Sequence, residues 1–157
     1  MNKSILLVGV IFTSLMFNSC KNETTPPSKT DLLTNKTWKI ITKAIVPSFV
    51  MGGITVTDIT VMESDEMKAY TYKFNKDGTA YRYSASNQMI AQTSWSFNSD
   101  ETQITFNPAI LYNYPIVGDI GLSTMTLVSL SENQMVTTVP YLYDGTNFVI
   151  TITFRTM

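Results

Sequence analysis

The chain has 157 residues, with 11 basic residues, 12 acidic residues, no histidine and a net charge of −1. This length suits one domain of ordinary size, and no basic residues cluster as they do in a protein that binds nucleic acid. The lack of histidine excludes Ser-His-Asp triads, Cys-His dyads and histidine-based metal sites. We therefore expect a protein that is not an enzyme, with no catalytic residues, no metal, no cofactor and no nucleic-acid partner.

The chain begins with the pattern of an export signal. Lys3 supplies a positive start, residues 5–17 are apolar, and a polar stretch follows Cys20. The apolar run has the length of a secretory signal core, about 7–15 residues, and is shorter than the roughly 20 residues that span a membrane. We predict a signal peptide over residues 1–19.

The end of this leader resembles the lipobox of bacterial lipoproteins, in Ser19 and Cys20, the single cysteine of the chain. In that family the leader is cut before the cysteine, whose thiol receives diacylglycerol and whose new amine is acylated, for example with palmitate. The resemblance implies a protein anchored in the cell envelope at the outer membrane, because several acyl chains together hold stably. The alternatives are an ordinary cleaved leader with a free thiol, or an uncleaved anchor. Residues 20–30 would form a tether, and residues 31–157 the folded domain.

After the tether, the sequence predicts a succession of β-strands. A helical turn is expected within residues 31–36, a first strand at 37–41 and a second at 54–62. The remaining segments also alternate β-branched or aromatic residues with polar ones, without helical periodicity. These further strands are predicted at Tyr70–Phe74, around Tyr81 and Tyr83, at 89–97, around Ile104 and Phe106, and at 125–130, 135–143 and 147–154.

Eight or nine antiparallel strands, each with one apolar face, predict an all-β fold. A sheet of this size tends to curl, and closing it removes its exposed edges. Short connections favour an up-and-down order. We therefore predict a barrel of about eight strands with a short N-terminal helical turn. Residues 108–121 contain Pro115 and two glycines, so their strand assignment stays open.

Four stretches in succession resemble the lipocalin-like domains of lipoproteins from Bacteroides-type bacteria. They are residues 33–40, 72–79, 93–106 and 127–136. Most such domains lack an assigned ligand, so the resemblance implies a fold and a location more than an activity. It also implies that Trp38 plugs the closed end of the barrel.

Aromatic side chains on neighbouring strands are the candidate ligand contacts. They would line a cavity in which a few hydroxyls orient a ligand. The alternative is that they fill the interior, because an eight-stranded barrel is just wide enough for side chains or one small ligand. The candidates are Tyr70, Tyr72, Tyr81, Tyr83, Trp95, Phe97, Tyr112 and Tyr114.

Two apolar segments are interpreted as loops at the barrel mouth. Phe49 and Met51 lie in one, and Tyr112 and Tyr114 in the other. Exposed apolar loops often mark contact surfaces, so these residues would rim an open mouth. The alternative is that they cover the end of the barrel as lids.

The densest acidic cluster is Glu63, Asp65 and Glu66. We expect a solvated turn here. A calcium site built from these oxygens lacks the glycine of an EF-hand-like loop, and adjacent loop carboxylates poorly match a glycosidase pair that faces one bond.

The sequence therefore favours a lipid-anchored envelope protein, tied to the membrane through Cys20, whose barrel binds a small apolar or amphipathic ligand. The alternative is a structural or protein-interaction module with a solid core and a partner protein in the envelope.

Overall fold

The computed structural model of the protein describes residues 26–114 and 118–157. Cys20, the predicted signal peptide and the first part of the predicted tether lie outside the described residues. In the part of the chain that is described, none of the helices has the length and apolar character needed to cross a membrane.

Strands dominate the described part of the chain. Two short α-helices, α1 (Lys29–Leu33) and α2 (Asp65–Lys68), and one 3-10 turn (Ile59–Met62) accompany them. The strands are β1 (Thr37–Met51), β2 (Ile54–Asp58), β3 (Thr71–Phe74), β4 (Thr79–Tyr83), β5 (Met89–Phe97), β6 (Gln103–Tyr114), β7 (Gly118–Leu130), β8 (Gln134–Tyr143) and β9 (Thr146–Thr156). The all-β prediction is confirmed.

Eight of these strands close an antiparallel barrel. Their order is β1-β3-β4-β5-β6-β7-β8-β9, and β9 pairs back onto β1. Neighbours in space are thus almost always neighbours in sequence, as the short turns predict. The remaining strand, β2, is an extra strand that pairs with the second half of β1, from Ala44↔Asp58 to Met51↔Ile54.

Several strand boundaries differ from the sequence-based expectation, and those of β1 and β2 have a clear local cause. β1 continues to Met51 because its second half pairs with β2 on one side and β9 on the other. The strand predicted over 54–62 stops at Asp58, whose carboxylate accepts a hydrogen bond from the backbone N–H of Thr60 at 2.9 Å. Such a side-chain cap offers the backbone an alternative to the sheet, and a 3-10 turn follows. Within the segment whose assignment the sequence left open, residues 108–114 belong to β6 and residues 118–121 to β7.

The helix α1 lies across one end of the barrel. Lys29 donates from its Nζ to the carbonyl of Glu101 at 2.7 Å, in the turn between β5 and β6. Asp31 pairs with Lys76, in the turn between β3 and β4. The helix begins inside the predicted tether, with Ser28 as its N-cap. The helix therefore occupies part of the segment 20–30 as well as residues 31–33.

Trp38 is fully buried against α1. Its indole N–H donates to the carbonyl of Leu33, the last residue of α1, at 2.8 Å, and neither side chain is exposed. Burial with the indole N–H satisfied is the favourable arrangement for a tryptophan in a core. This matches the expected position at the closed end.

Aromatic rings fill the interior next to this end. Phe74 meets Trp95 edge to face at 5.7 Å between ring centroids, and Trp95 meets Phe97 in the same way at 5.5 Å. The indole N–H of Trp95 donates to the carbonyl of Asn75 at 3.0 Å. The turn from Asn75 to Gly78 ends with Gly78 at a φ of +82°, as its sequence predicts.

Candidate functional site

A pocket of about 290 Å³ opens in the barrel wall between β5 and β6. The two strands are paired from Ser94↔Asn107 to Phe97↔Ile104 and separate beyond Asn107. β4, which pairs with β5, and β3, which pairs with β4, contribute the rest of the lining. The lining includes Tyr72, Phe74, Arg82, Thr93, Pro108 and Ile110.

The sequence explains why the strands separate there. Pro108 has no N–H to donate to a ladder, so a proline in a sheet favours an irregularity. The pairing of β6 with β7 also shifts in register between Thr105 and Ile110. The hydroxyl of Thr93 donates to the carbonyl of Pro108 and so joins β5 to β6 past the last backbone pair. The small side chains of Ala91 and Ala109 leave the space beside this bond open.

Arg82 places a positive charge in the pocket wall. Its Nη1 donates to the carbonyl of Leu111 at 2.8 Å. The guanidinium lies 5.0 Å from the ring centroid of Tyr70 and 5.4 Å from that of Tyr112. Cation–π contacts of this kind stabilise an arginine away from water. The Nε atom is buried and has no hydrogen-bond partner among the described residues.

A buried ion pair lies on the other side of Tyr112. Lys43 and Glu63 form the pair, with 4% and 7% of their surfaces exposed. Tyr114 donates to Oε1 of Glu63 at 2.6 Å and accepts from Nζ of Lys43 at 2.9 Å. Nζ of Lys43 also lies 4.0 Å from the ring centroid of Tyr112. These contacts satisfy both charges, which a buried ion pair requires.

Burial controls the protonation of these groups. It lowers the pKa of the Lys43 ammonium, although the charge of Glu63 acts in the opposite direction. It raises the pKa of the phenols of Tyr72, Tyr112 and Tyr114. The three tyrosines therefore stay neutral and act as hydrogen-bonding groups. The hydroxyls of Tyr72 and Tyr112 bond to each other.

The structure brings together some of the aromatic candidates. Tyr72 and Tyr112 lie in the interior beside Arg82, and Tyr70 packs under its guanidinium. Trp95 and Phe97 belong to the aromatic packing nearer the closed end.

Tyr81 and Tyr83 do not face the interior, which differs from the expectation. Tyr72 is paired with Arg82, and residues paired directly share a face. Tyr81 and Tyr83 therefore occupy the other face of β4, and Tyr81 borders the pocket at its edge. The alternation of β4 was correctly predicted, but the charged residue and not the tyrosines points inward.

The predicted rim loop around Tyr112 and Tyr114 is wrong. Both residues lie in β6, and their exposed fractions are 4% and 2%. Pairing of β6 with β7 continues to Tyr114↔Gly118, so the strand extends through residues that resemble a loop in the sequence. Phe49 and Met51 lie at the end of β1, where Phe49 packs edge to face on Phe148 at 6.0 Å.

The predicted solvated turn at the acidic cluster is wrong for Glu63, which points into the barrel and pairs with Lys43. Asp65 remains exposed at the start of α2. Among residues 26–114 and 118–157, no three acidic side chains lie close enough together to hold a metal ion. The inward position of Lys43, Glu63 and Arg82 was not predicted from the sequence, because partners distant in sequence decide it.

Comparison with known proteins gives no further assignment. A scan against protein-family models found no match, and a search of curated proteins found no significant relative.

Proposed function

We propose that the protein is a lipid-anchored lipoprotein of the cell envelope that binds a small apolar or amphipathic ligand without catalysis. Its anchor is Cys20, with diacylglycerol on the thiol and an acyl chain on the new amine, and its binding site is the pocket between β5 and β6. The observation that carries the proposal is this pocket of about 290 Å³, close to the lower limit of ordinary ligand sites.

The wall of the pocket supports an amphipathic ligand. Phe74, Ala91 and Ile110 offer apolar surface, while Arg82 and Thr93 offer polar groups in a few places. Ligand sites commonly combine a mostly apolar lining with a small number of placed polar groups. The side chains that fill the rest of the interior make this pocket the natural place for a ligand.

Binding is tested with a neutral probe and a variant that fills the space. The mature chain (residues 20–157) with Cys20→Ser is titrated with 1-octanol by calorimetry. Ala91 is paired with Arg82 and lines the pocket, so Ala91→Phe fills it. We expect the affinity for octanol to fall at least about ten-fold.

The matched control is Ala85→Phe, since Ala85 is exposed in the connection between β4 and β5. It makes the same chemical change away from the pocket and leaves octanol binding intact. Equal octanol affinity in wild type and Ala91→Phe would overturn the binding proposal. Native mass spectrometry of protein purified from its own cells then identifies a ligand that purifies with it.

The anchor is tested separately. Cells grown with radiolabelled palmitate incorporate the label into the wild-type chain but not into Cys20→Ala. Labelling of both forms, or of neither, would contradict the lipoprotein proposal while leaving the pocket untouched.

The alternative function is a module that binds another envelope protein. The observation that favours it is the apolar surface where β1 meets β2. Val46, Val50 and Ile54 are 65–70% exposed there, and β2 pairs with β1 alone. An edge strand with exposed apolar side chains is suited to pairing. Cross-linking in whole cells, with wild type compared to Val50→Lys, tests it through the loss of one specific cross-linked partner.

A further inference from the structure

We propose that the ligand of the β5–β6 pocket carries a carboxylate that pairs with Arg82, at the end of an apolar chain of about eight carbon atoms. This inference rests on the proposed function of the pocket and adds the charge and size of what it holds.

The first step is the charge of the pocket wall. Among the described residues that line the pocket, Arg82 is the one charged side chain. The ion pairs in the described part of the chain are Lys43 with Glu63, Lys68 with Asp65, and Lys76 with Asp31, so none of them involves Arg82. Its positive charge therefore faces the pocket without a carboxylate to balance it.

The second step is that two acids packed near the Tyr112 side of the barrel, Glu63 and Asp58, are already engaged. Glu63 accepts from Lys43 and Tyr114. Asp58 accepts from the backbone N–H of Lys43 at 3.1 Å and from Thr60. Neither carboxylate is free to turn to Arg82 without breaking contacts of its own. A carboxylate brought by the ligand would balance the charge of Arg82 and form charge-assisted hydrogen bonds with it.

The third step is geometry. The Nη1 atom of Arg82 is bonded to the carbonyl of Leu111, whereas Nε is buried and unbonded among the described residues. Nε and the adjacent Nη2 form the edge of the guanidinium that matches the two oxygens of a carboxylate. A carboxylate at this edge would give the Nε donor the acceptor that it lacks among the described residues.

The fourth step is size. A water molecule takes about 30 Å³ of liquid volume, so 290 Å³ corresponds to roughly ten non-hydrogen atoms. A straight-chain carboxylate of about eight carbons has that number of atoms. Phe74 and Ile110 would pack along its apolar chain while its carboxylate reaches Arg82.

Three probes of equal chain length test the proposal: octanoate, 1-octanol and octylamine, titrated into the mature chain with Cys20→Ser. We expect octanoate to bind at least about ten-fold more tightly than octanol, because hydrogen bonds to charged groups are the stronger ones. Octylamine, which is a cation at pH 7, should bind more weakly than octanol.

Variants assign this preference to one side chain. Arg82→Met keeps a long apolar side chain without the charge, and should reduce the ratio of octanoate affinity to octanol affinity to about one. Arg155→Met removes the other arginine of the chain, which is exposed on β9, and should leave octanoate binding unchanged. Arg82→Lys keeps the charge but loses the planar fork, so its octanoate affinity should be intermediate.

The outcomes separate this inference from the function on which it rests. Equal binding of octanoate and octanol by wild type would overturn the carboxylate proposal, and octanol binding that Ala91→Phe weakens would still support the pocket. No binding of any probe would overturn both. Circular dichroism confirms that each variant folds, and the three-probe comparison on wild type decides the charge preference even if Arg82→Met does not fold.

Discussion

Where β5 and β6 are paired, up to Ser94↔Asn107, aromatic rings fill the interior beside them. Where the two strands separate, the interior instead holds an open pocket, a buried ion pair and an arginine with an unbonded Nε. The first region is built for packing and the second for placing polar groups. One barrel therefore contains a stable base and a region in which burial of charge costs stability.

The two regions also satisfy their polar groups differently. At the closed end, the indole N–H groups of Trp38 and Trp95 donate to backbone carbonyls, those of Leu33 and Asn75. In the pocket region, buried side chains bond to one another: Tyr114 to Glu63, and Tyr72 to Tyr112. A charged network of this kind responds to the loss of any one member.

The largest effect is expected at the closed end. Trp38→Ala removes a fully buried indole, and we expect it to lower the free energy of unfolding by about 5 kcal/mol. Urea denaturation followed by circular dichroism measures this. Val128→Ala, at a side chain that is 60% exposed, is the control and should change stability little. A small effect of Trp38→Ala would show that the closed end is not the stable base.

The next effect is expected in the ion pair. Glu63→Gln leaves the Lys43 ammonium buried without its anion, and should cost about 3 kcal/mol at pH 7. The matched control is Asp65→Asn, which removes an exposed carboxylate 3.9 Å from Lys68. The double variant Lys43→Met with Glu63→Leu should regain most of the loss, because no charge is then buried. If Glu63→Gln and Asp65→Asn have equal effects in urea denaturation, the polar region does not depend on this pair.

A smaller effect is expected on the pH dependence of stability, which the buried titratable groups of the pocket region control. Burial raises the pKa of Tyr112 above its ordinary 10.0, so above pH 10 the unfolded chain loses a proton that the folded chain keeps. Stability must therefore fall as pH rises from there, by about 1.4 kcal/mol per pH unit for one such group. The lowered pKa of Lys43 has the opposite effect below pH 10.5. There the unfolded chain still binds a proton that the folded chain has lost, so stability rises with pH.

Unfolding free energies measured between pH 9 and about pH 11 check this expectation. The unfolding free energy of Tyr112→Phe should fall less steeply with pH than that of wild type above pH 10. The difference between the two slopes should equal the contribution of one tyrosine. Identical slopes would mean that the Tyr112 phenol is accessible to hydroxide in the folded protein.

The smallest effect is expected at the surface of the closed end. The hydrogen bond from Lys76, with help from Ser28, holds the pKa of Asp31 at about 2. Its depressed pKa contributes stability above pH 3.8 that is lost as pH falls through about 2. Lys76→Met should raise the pKa of Asp31 toward 3.8 in an NMR titration, with little change in stability because the pair is exposed. An unmoved pKa would show that Ser28 alone sets it.

Much of the fold could be predicted from local pattern. Alternation placed Tyr72 and Phe74 on one face of β3, and turn chemistry placed Gly78 in its turn. Trp38 was correctly predicted to be buried. These features depend on side-chain periodicity and on backbone conformations that few residues adopt.

The site could be predicted only in part. Tyr72 and Tyr112 were correctly named as interior candidates, but Arg82 was not, because alternation fixes which residues share a face and not which face points inward. Lys43 and Glu63 are 20 residues apart, and only the turn after β2 brings them together. A carboxylate in an acidic stretch is usually solvated, and nothing in the local sequence marks Glu63 as the exception.

The pocket opens in the wall of the barrel, between β5 and β6, and not through α1. A ligand of the kind proposed would therefore enter and leave without displacing Trp38. One side-chain hydrogen bond, from the Thr93 hydroxyl to the Pro108 carbonyl, joins the two strands next to the opening. Local opening of two strands costs far less than global unfolding, so such a ligand would exchange while the rest of the barrel stays folded.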